Sequence, residues 1–351
     1  MPTPTTATLT TTLTPGAIAV VQLHGPEARR IVGQLGAVEL TGRSRLVEIA
    51  GIDEAIITGL RDDWFQVMPH GGVRVVQHLM QRLEELGAII GGEADARELY
   101  PEAASDIEAE MLAALARAAS PAAIDLLLVQ PARWADAVTR PLDVAMIERQ
   151  TAALDRLVTP PTVVLAGRPN VGKSTLSNLV MGRAASITAD LPGTTRDWVA
   201  GLAELRTAIG EVAVKWFDTP GLRESGDPIE TRAIELARGV VASADVIIAM
   251  RDPEIDWLDA AELPRLPDVW VANKSDLGTP NAERTTPFRV PRSEIRVSSL
   301  TGEGLDKLAA AVGRALGLAE VDTAVPWAFS PSLKRLLRAG DREGLVRYTA
   351  P

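Results

Sequence analysis

Residues 167–175 read GRPNVGKST. The stretch fits G-x-x-x-x-G-K-[ST] with Gly167, Gly172, Lys173 and Ser174. It follows the apolar run Thr162–Ala166 and opens a helix-like stretch, Ser174–Val180, which is the strand–loop–helix context the pattern needs. Glycines let the backbone curl, so that successive N–H groups through Asn170, Val171, Gly172, Lys173, Ser174 and Thr175 can point inward at phosphate oxygens. Lys173 can reach the β- and γ-phosphates, Ser174 can ligate Mg²⁺, and the helix N-terminus adds partial positive charge. This arrangement predicts binding of a nucleoside triphosphate.

Four further segments say which one. LPGTTRD at 191–197 carries Thr194 and Thr195 on a loop where a hydroxyl can ligate Mg²⁺ while a γ-phosphate is present. DTPG at 218–221 ends the alternating run Val212–Phe217: Asp218 can hold the metal through water, and the Gly221 N–H can meet the γ-phosphate. NKSD at 273–276 follows the apolar run Val269–Ala272. The Asp276 carboxylate can accept from both N1–H and N2–H₂ of guanine, donors that adenine does not present together. Asn273 would face the base and tie back to the phosphate loop, and the Lys274 stem would cover the ring. Ser298, Ser299 and Leu300, after Ile295–Val297, can supply a backbone N–H to guanine O6. The ordered set resembles the translation-factor-related GTPases, which implies GTP and GDP as ligands.

Apolar runs at 162–166, 212–217, 244–250, 268–272 and 295–299 alternate with helical stretches at 174–182, 229–242 and 304–317. Such alternation predicts an α/β fold: a P-loop domain with a mostly parallel sheet, helices on both faces, and nucleotide at the carboxyl ends of the strands.

Composition sets outer bounds. A 351-residue chain suggests two to three domains, and 46% hydrophobic residues suffice for real cores. There is no cysteine, hence no disulfide, thiolate metal site or cysteine nucleophile. No apolar run approaches the length of a membrane span, and the Thr-rich start lacks a basic-then-apolar signal pattern, so the expected location is cytoplasmic, without a membrane partner. A net charge of −10 argues against a general nucleic-acid binder, DNA included, while leaving room for a local basic patch.

Outside the nucleotide motifs, residues 17–100 suggest an α/β unit, with strand-like stretches at Ala17–Leu23, Leu46–Ile49, Glu54–Thr58 and Phe65–Met68. A helix is expected after His70-Gly71-Gly72, with Val76, Leu79, Met80 and Leu83 on one face. Residues 103–158 look helical. Ser105 and Glu108 have capping-box spacing, and Pro121, Pro131 and Pro141 cut the remainder into short helices. Pro160-Pro161 make a stiff entry into the next domain, and one short helix is expected after Gly317, with Leu333, Leu336 and Leu337. His70 is read as a helix entry, with a ligand or dimer contact as the alternative, and Arg29-Arg30 and Lys334-Arg335…Arg338 as solvated helix faces rather than RNA contacts.

GAIAVVQLHGPEARRIV, the HGG that opens a helix, GRPNVGKSTLSNLVMGRAASITADLPGTTRD and DTPGLRESGDPIETRAIELAR together resemble the bacterial MnmE (TrmE) family of tRNA-modification GTPases. The likeness is strong over 162–317, moderate over 15–90 and faint over 95–160. It implies an N-terminal domain over 1–100 that forms a homodimer and takes a folate derivative, a reduced helical segment over 101–160, the GTPase domain over 161–318, and a short helical tail over 319–351. It also implies K⁺ near the phosphates, partly held by Asn170 and by backbone carbonyls of Ser186–Thr194, with Glu230 positioning the attacking water. Leu222, which follows D-x-x-G, cannot orient water as the glutamine of Ras-like enzymes does.

Two features depart from the family. The segments flanking the GTPase domain are short, and the family's C-terminal cysteine motif is replaced by VRYTAP. Wobble-uridine modification is therefore not expected to follow from the likeness. The expected activity is GTP hydrolysis, K⁺-stimulated and dependent on dimerisation. A ribosome-assembly GTPase and a GTP-gated scaffold with negligible turnover are the alternatives, with tRNA or the ribosome as possible partners.

Overall fold

The computed structural model describes residues 4–11, 17–37, 42–91, 95–100, 102–183, 199–218, 239–259, 262–277 and 294–350. The chain divides into two compact units. One comprises Met1–Ala118, Leu127–Val144 and Ala328–Pro351; the other comprises Ala119–Leu126 and Ala145–Trp327.

The first unit contains a six-stranded sheet made of β1 (Thr6–Leu9), β2 (Val21–His24), β3 (Ser44–Ile49), β4 (Asp53–Arg61), β5 (Trp64–Met68) and β6 (Ile89–Ile90), in the order β3-β4-β5-β2-β1-β6. Pairing is antiparallel except between β1 and β6. Alternation along the strands sends Val47, Ile49, Ala55, Ile57 and Val67 into the core. There they meet Ile31 and Val32 of helix Ala28–Gln34 and Leu79 and Leu83 of helix Val73–Glu85. The expected face Val76, Leu79, Leu83 is buried, and Met80 packs at its edge. His70 precedes that helix as expected. Its N–H donates to Asp53 Oδ2 at 2.8 Å and its ring Nδ1 lies 2.9 Å from the same oxygen. Burial pushes the Asp53 pKa up, but hydrogen bonds from His70 and the Glu54 N–H outweigh it and hold the pKa below the ordinary carboxylate value. Strand β1 was not expected: its Thr-rich sequence hides the alternation, although Thr is a good strand former.

Helices complete this unit. Ser105 Oγ accepts the Glu108 N–H and caps Asp106–Arg117, while Glu108 Oε2 accepts from Ala104 rather than from Ser105, one residue outside the standard box. The expected single tail helix is two, Pro331–Ala339 and Arg342–Thr349. Gly340 closes the first in the left-handed region at φ 63°, and Asp341 caps the second by accepting the Gly344 N–H. Of the expected tail leucines, Leu333 and Leu337 are buried. Arg342 donates to Val138 O, tying the last helix to the end of Gln130–Ala137.

The second unit is built on β7 (Thr162–Gly167), β8 (Val199–Thr207), β9 (Gly210–Asp218), β10 (Val246–Arg251), β11 (Val269–Ala272) and β12 (Ile295–Arg296), in the order β12-β11-β10-β7-β9-β8. All neighbours are parallel except β8 and β9. Runs such as Val163–Ala166 and Val246–Met250 are buried throughout, as a sheet covered on both faces requires. The expected helices at 174–182 and 304–317 are Lys173–Arg183 and Leu305–Ala315; of 229–242, only 239–242 are described, and they are helical. The last strand is Ile295–Arg296; the Val297 N–H still donates to Ala272 O at 2.9 Å, and the turn begins at Ser299. Helix Val144–Val158 belongs with this unit: Arg156 pairs with Asp245 at 3.4 Å, and Gln150 donates to Val325 O. Among the described residues no helix is long and apolar enough to cross a membrane.

Leu79 is fully buried in the first core. Leu79→Ala is expected to cost about 3 kcal/mol through lost burial and a residual cavity. Hydrogen exchange should show reduced protection across β2–β5 and unchanged protection in β7 and β10.

Candidate nucleotide site

Parallel pairing brings the ends of β7, β9, β10 and β11 into one row: Leu165 lies opposite Asp218, Met250 opposite Gly167, and Arg251 opposite Ala272. The phosphate loop leaves β7 at Gly167, where a Cβ would lie 2.9 Å from Met250 O. At Gly172, with φ +92°, a Cβ would overlap the Asn273 amide nitrogen. Close approach demands both glycines, and at Gly172 the positive φ demands it as well. Asn170 adopts φ 67° with its side chain exposed, an uncommon conformation that turns the chain toward buried Val171. The helix begins at Lys173, so the first-turn N–H groups of Lys173, Ser174 and Thr175 have no intrahelical acceptors and face the loop. Lys173 Nζ donates to Gly167 O at 2.9 Å and Arg168 O at 3.2 Å, spanning the loop. Burial pushes its pKa below the usual lysine value, against the opposing charge of Asp218.

Asp218, at the end of β9, accepts from Ser174 Oγ at 2.6 Å through Oδ2. Its Oδ1 is buried and has no hydrogen-bond partner among the described residues. Burial pushes the Asp218 pKa up, against the Ser174 hydrogen bond and the Lys173 charge. An orphaned carboxylate oxygen beside a hydroxyl is an oxygen donor set suited to a hard cation, so these residues fit Mg²⁺.

Asn273 is buried and fully engaged. Its Nδ2 donates to Val171 O at 2.8 Å, and its Oδ1 accepts from the Ser299 N–H at 3.0 Å and from Ser299 Oγ at 2.7 Å. The link to the phosphate loop is as expected, and the second link, to Ser299, ties three motifs through one amide. The Ser298 N–H is taken by Glu303 O and the Ser299 N–H by Asn273. Of the three residues 298–300, only Leu300 has an N–H without a partner among the described residues, and its side chain is 79% exposed. Asp276 stands exposed on the short turn Ser275–Leu277. Thr194, Thr195, Gly221 and Glu230, together with Leu222 and the 186–194 carbonyls, lie outside the described residues.

Residues 162–274 match the family model described as a 50S ribosome-binding GTPase. The tRNA modification GTPase MnmE of Thiobacillus denitrificans is 31% identical over 363 residues, covering 86% of this chain and 79% of that protein. This chain belongs to the MnmE family. The MnmE of Synechococcus sp. (strain CC9902) is 29% identical, covering 87% and 80%. That of Parvibaculum lavamentivorans is 38% identical over 189 residues, or 54% of this chain and 38% of the relative. Among solved structures, Aquifex aeolicus Era bound to GDP.AlF4− shows 29% identity over 45% of this chain and 56% of that one, at a TM-score of 0.31. The G domain of T. maritima FeoB shows 22% identity over 44% and 98%, at 0.30.

As an MnmE-type protein with a P-loop GTPase domain, the chain is a GTP hydrolase. The first unit of this MnmE relative holds a cavity of about 620 Å³, lined in part by Thr8, Arg97, Glu110, Arg117, Arg335 and Tyr348. Thr8 Oγ1 and Glu110 Oε2 are buried there without hydrogen-bond partners among the described residues. Burial and then the Glu110 charge push the Tyr348 pKa upward, so its hydroxyl stays protonated. The sequence reading missed this cavity because its walls come from three distant stretches with no motif. The described residues contain no group of three or more His, Cys, Asp or Glu able to hold an ion.

Gly172→Ala is expected to abolish measurable GDP binding by calorimetry, at least a hundredfold loss, because the new Cβ and the Asn273 amide cannot share the space. The protein should stay folded by circular dichroism.

Proposed function

We propose that this GTPase hydrolyses GTP in a K⁺-stimulated, dimerisation-dependent manner. The phosphates are cradled by N–H groups of Val171–Thr175, Mg²⁺ is held by Ser174 and Asp218 with Thr195, and guanine is read by Asp276 and the Leu300 N–H. Bound Mg²⁺ would neutralise charge on the phosphates, the dominant electrostatic contribution in phosphoryl transfer. This chain's own part is to orient them: Lys173 spans the loop, and Glu230 positions water where Leu222 cannot. The observation that carries the K⁺ reading is Asn170, held at φ 67° on the loop with an exposed amide whose oxygen suits a weakly hydrated cation. The exposed cross-strand pair Leu46 and Ile56, 65% and 39% accessible on the outer face of the first sheet, supports pairing with a second copy. Domain boundaries at 1–100, 101–160, 161–318 and 319–351 belong to the same proposal, with a cytoplasmic location. The relatives' name points to tRNA as the RNA partner in preference to the ribosome, although these 351 residues offer no thiol for the family's cysteine-dependent step.

Hydrolysis is expected to be faster in KCl than in NaCl and to rise per chain with protein concentration. Asn170→Ala should remove the K⁺ effect with GTP affinity retained. Glu230→Ala should lower kcat without weakening binding, as for a residue acting only in the transition state. Equal rates in the two salts would overturn the K⁺ reading.

A second proposal concerns the cavity. A folate derivative fits its chemistry: Glu110 offers a carboxylate oxygen to the N–H edge of a pterin, and Arg97, Arg117 and Arg335 offer cations to a glutamate tail. Bound folate would supply a one-carbon unit. Calorimetry with 5-formyltetrahydrofolate should show saturable binding that Glu110→Gln weakens at least tenfold, and no heat with the wild type would reject the assignment.

A further inference from the structure

Among the described residues five strands of the second unit run parallel, and the segments following four of them carry the nucleotide motifs. The fifth is β10, which lies between β7 and β11 and ends at Arg251. Asp252 follows it, so this residue sits between the phosphate loop and NKSD. Its side chain is 0% accessible. Oδ1 accepts the Ile255 N–H at 2.6 Å and the Glu254 N–H at 2.9 Å, closing a tight turn. Oδ2 faces Lys274 Nζ at 2.5 Å. The same ammonium donates to Asn170 O at 3.2 Å, and Lys274 itself is held at φ 56°. A few residues on, Trp257 O accepts from Nε of Arg168, the second residue of the phosphate loop, at 3.1 Å. The stretch 252–257 therefore braces that loop directly at Arg168 and, through Lys274, at Asn170.

A buried carboxylate is costly unless it is paired and hydrogen-bonded. Burial pushes the Asp252 pKa up, but the Lys274 hydrogen bond, the Ile255 and Glu254 N–H groups and the Lys274 charge together hold it below the ordinary value. Closing the turn would need only Oδ1, which an asparagine could supply. The second oxygen and the charge are explained by what they hold.

We propose that Asp252 is a positioning residue for the guanine nucleotide: its carboxylate fixes Lys274 between the phosphate loop and the base site, so that the lysine stem covers the ring and the Asn170 turn keeps its conformation. The proposal rests on nucleotide binding at this site, which wild-type protein binding GDP but not ADP checks independently. Asp252→Asn keeps the Oδ1 acceptor and removes the charge; Lys274→Met keeps the stem and removes the ammonium. Binding of fluorescently labelled GDP to the wild type, both single variants and the double variant gives a double-mutant cycle. Each single change is expected to weaken binding about tenfold or more, mainly through faster release, since a charge-assisted contact is lost. The double variant should be no weaker than the weaker single one. Additive losses, or Asp252→Asn binding as tightly as the wild type, would overturn the proposal. Should Asp252→Asn fail to fold, Lys274→Met decides alone: full affinity for GDP rejects the role.

Discussion

The nucleotide site depends on one constraint, the parallel register of β7 with its neighbours β9 and β10. Parallel strands end on the same side of a sheet, so loops remote in sequence meet without any dedicated long-range contact. Once the register is set, Gly167 lies against Met250, Ser174 meets Asp218, and Asn273 reaches Val171. A shift of one residue would reverse which side chains face each layer and remove all three contacts together.

The packing at this row is close enough that residue identity follows from available space. Gly172 cannot carry a side chain because the Asn273 amide occupies the position. Asn273 in turn cannot be replaced by an isosteric apolar residue, because it satisfies Val171 O on one side and Ser299 on the other. Polar groups this deeply buried are expensive when unpaired, so such a network holds as a set or fails as a set. Among the described residues of this row Asp218 Oδ1 and Ser275 Oγ are buried without a partner, and an orphaned carboxylate oxygen is what a cation site requires.

The elements that the sequence disclosed were those with a strong pattern. Long buried runs such as Val246–Met250, the face of Val76, Leu79 and Leu83, and the three prolines that stand at helix starts or connections could all be read directly. Strand β8 was missed because VAGLAELRT is rich in Ala, Gly and Glu, and its partner β9 rather than its own propensity makes it a strand. The second tail helix was hidden by Gly340, whose left-handed conformation lets one helix stop and another begin within two residues. Asp252 had a sequence signal, an acid two residues past the buried run Val246–Met250, but no motif: its role is visible only once β10 is seen to lie between β7 and β11.

The order in which the chain is made has its own consequence. Apart from residues 119–126 the second unit is one contiguous stretch, 145–327, whereas the other unit draws on both sides of it and includes residues 328–350. During synthesis the described strands of the nucleotide-binding body are complete before residues 331–349 leave the ribosome, so it can fold first. The N-terminal sheet, completed within residues 6–90, can also form early. The helical pieces around Tyr348, which wall the cavity, must wait for residues 330–348. Nascent chains should therefore acquire affinity for GTP before they acquire a closed cavity, and a premature stop in the tail would spare the first property and remove the second.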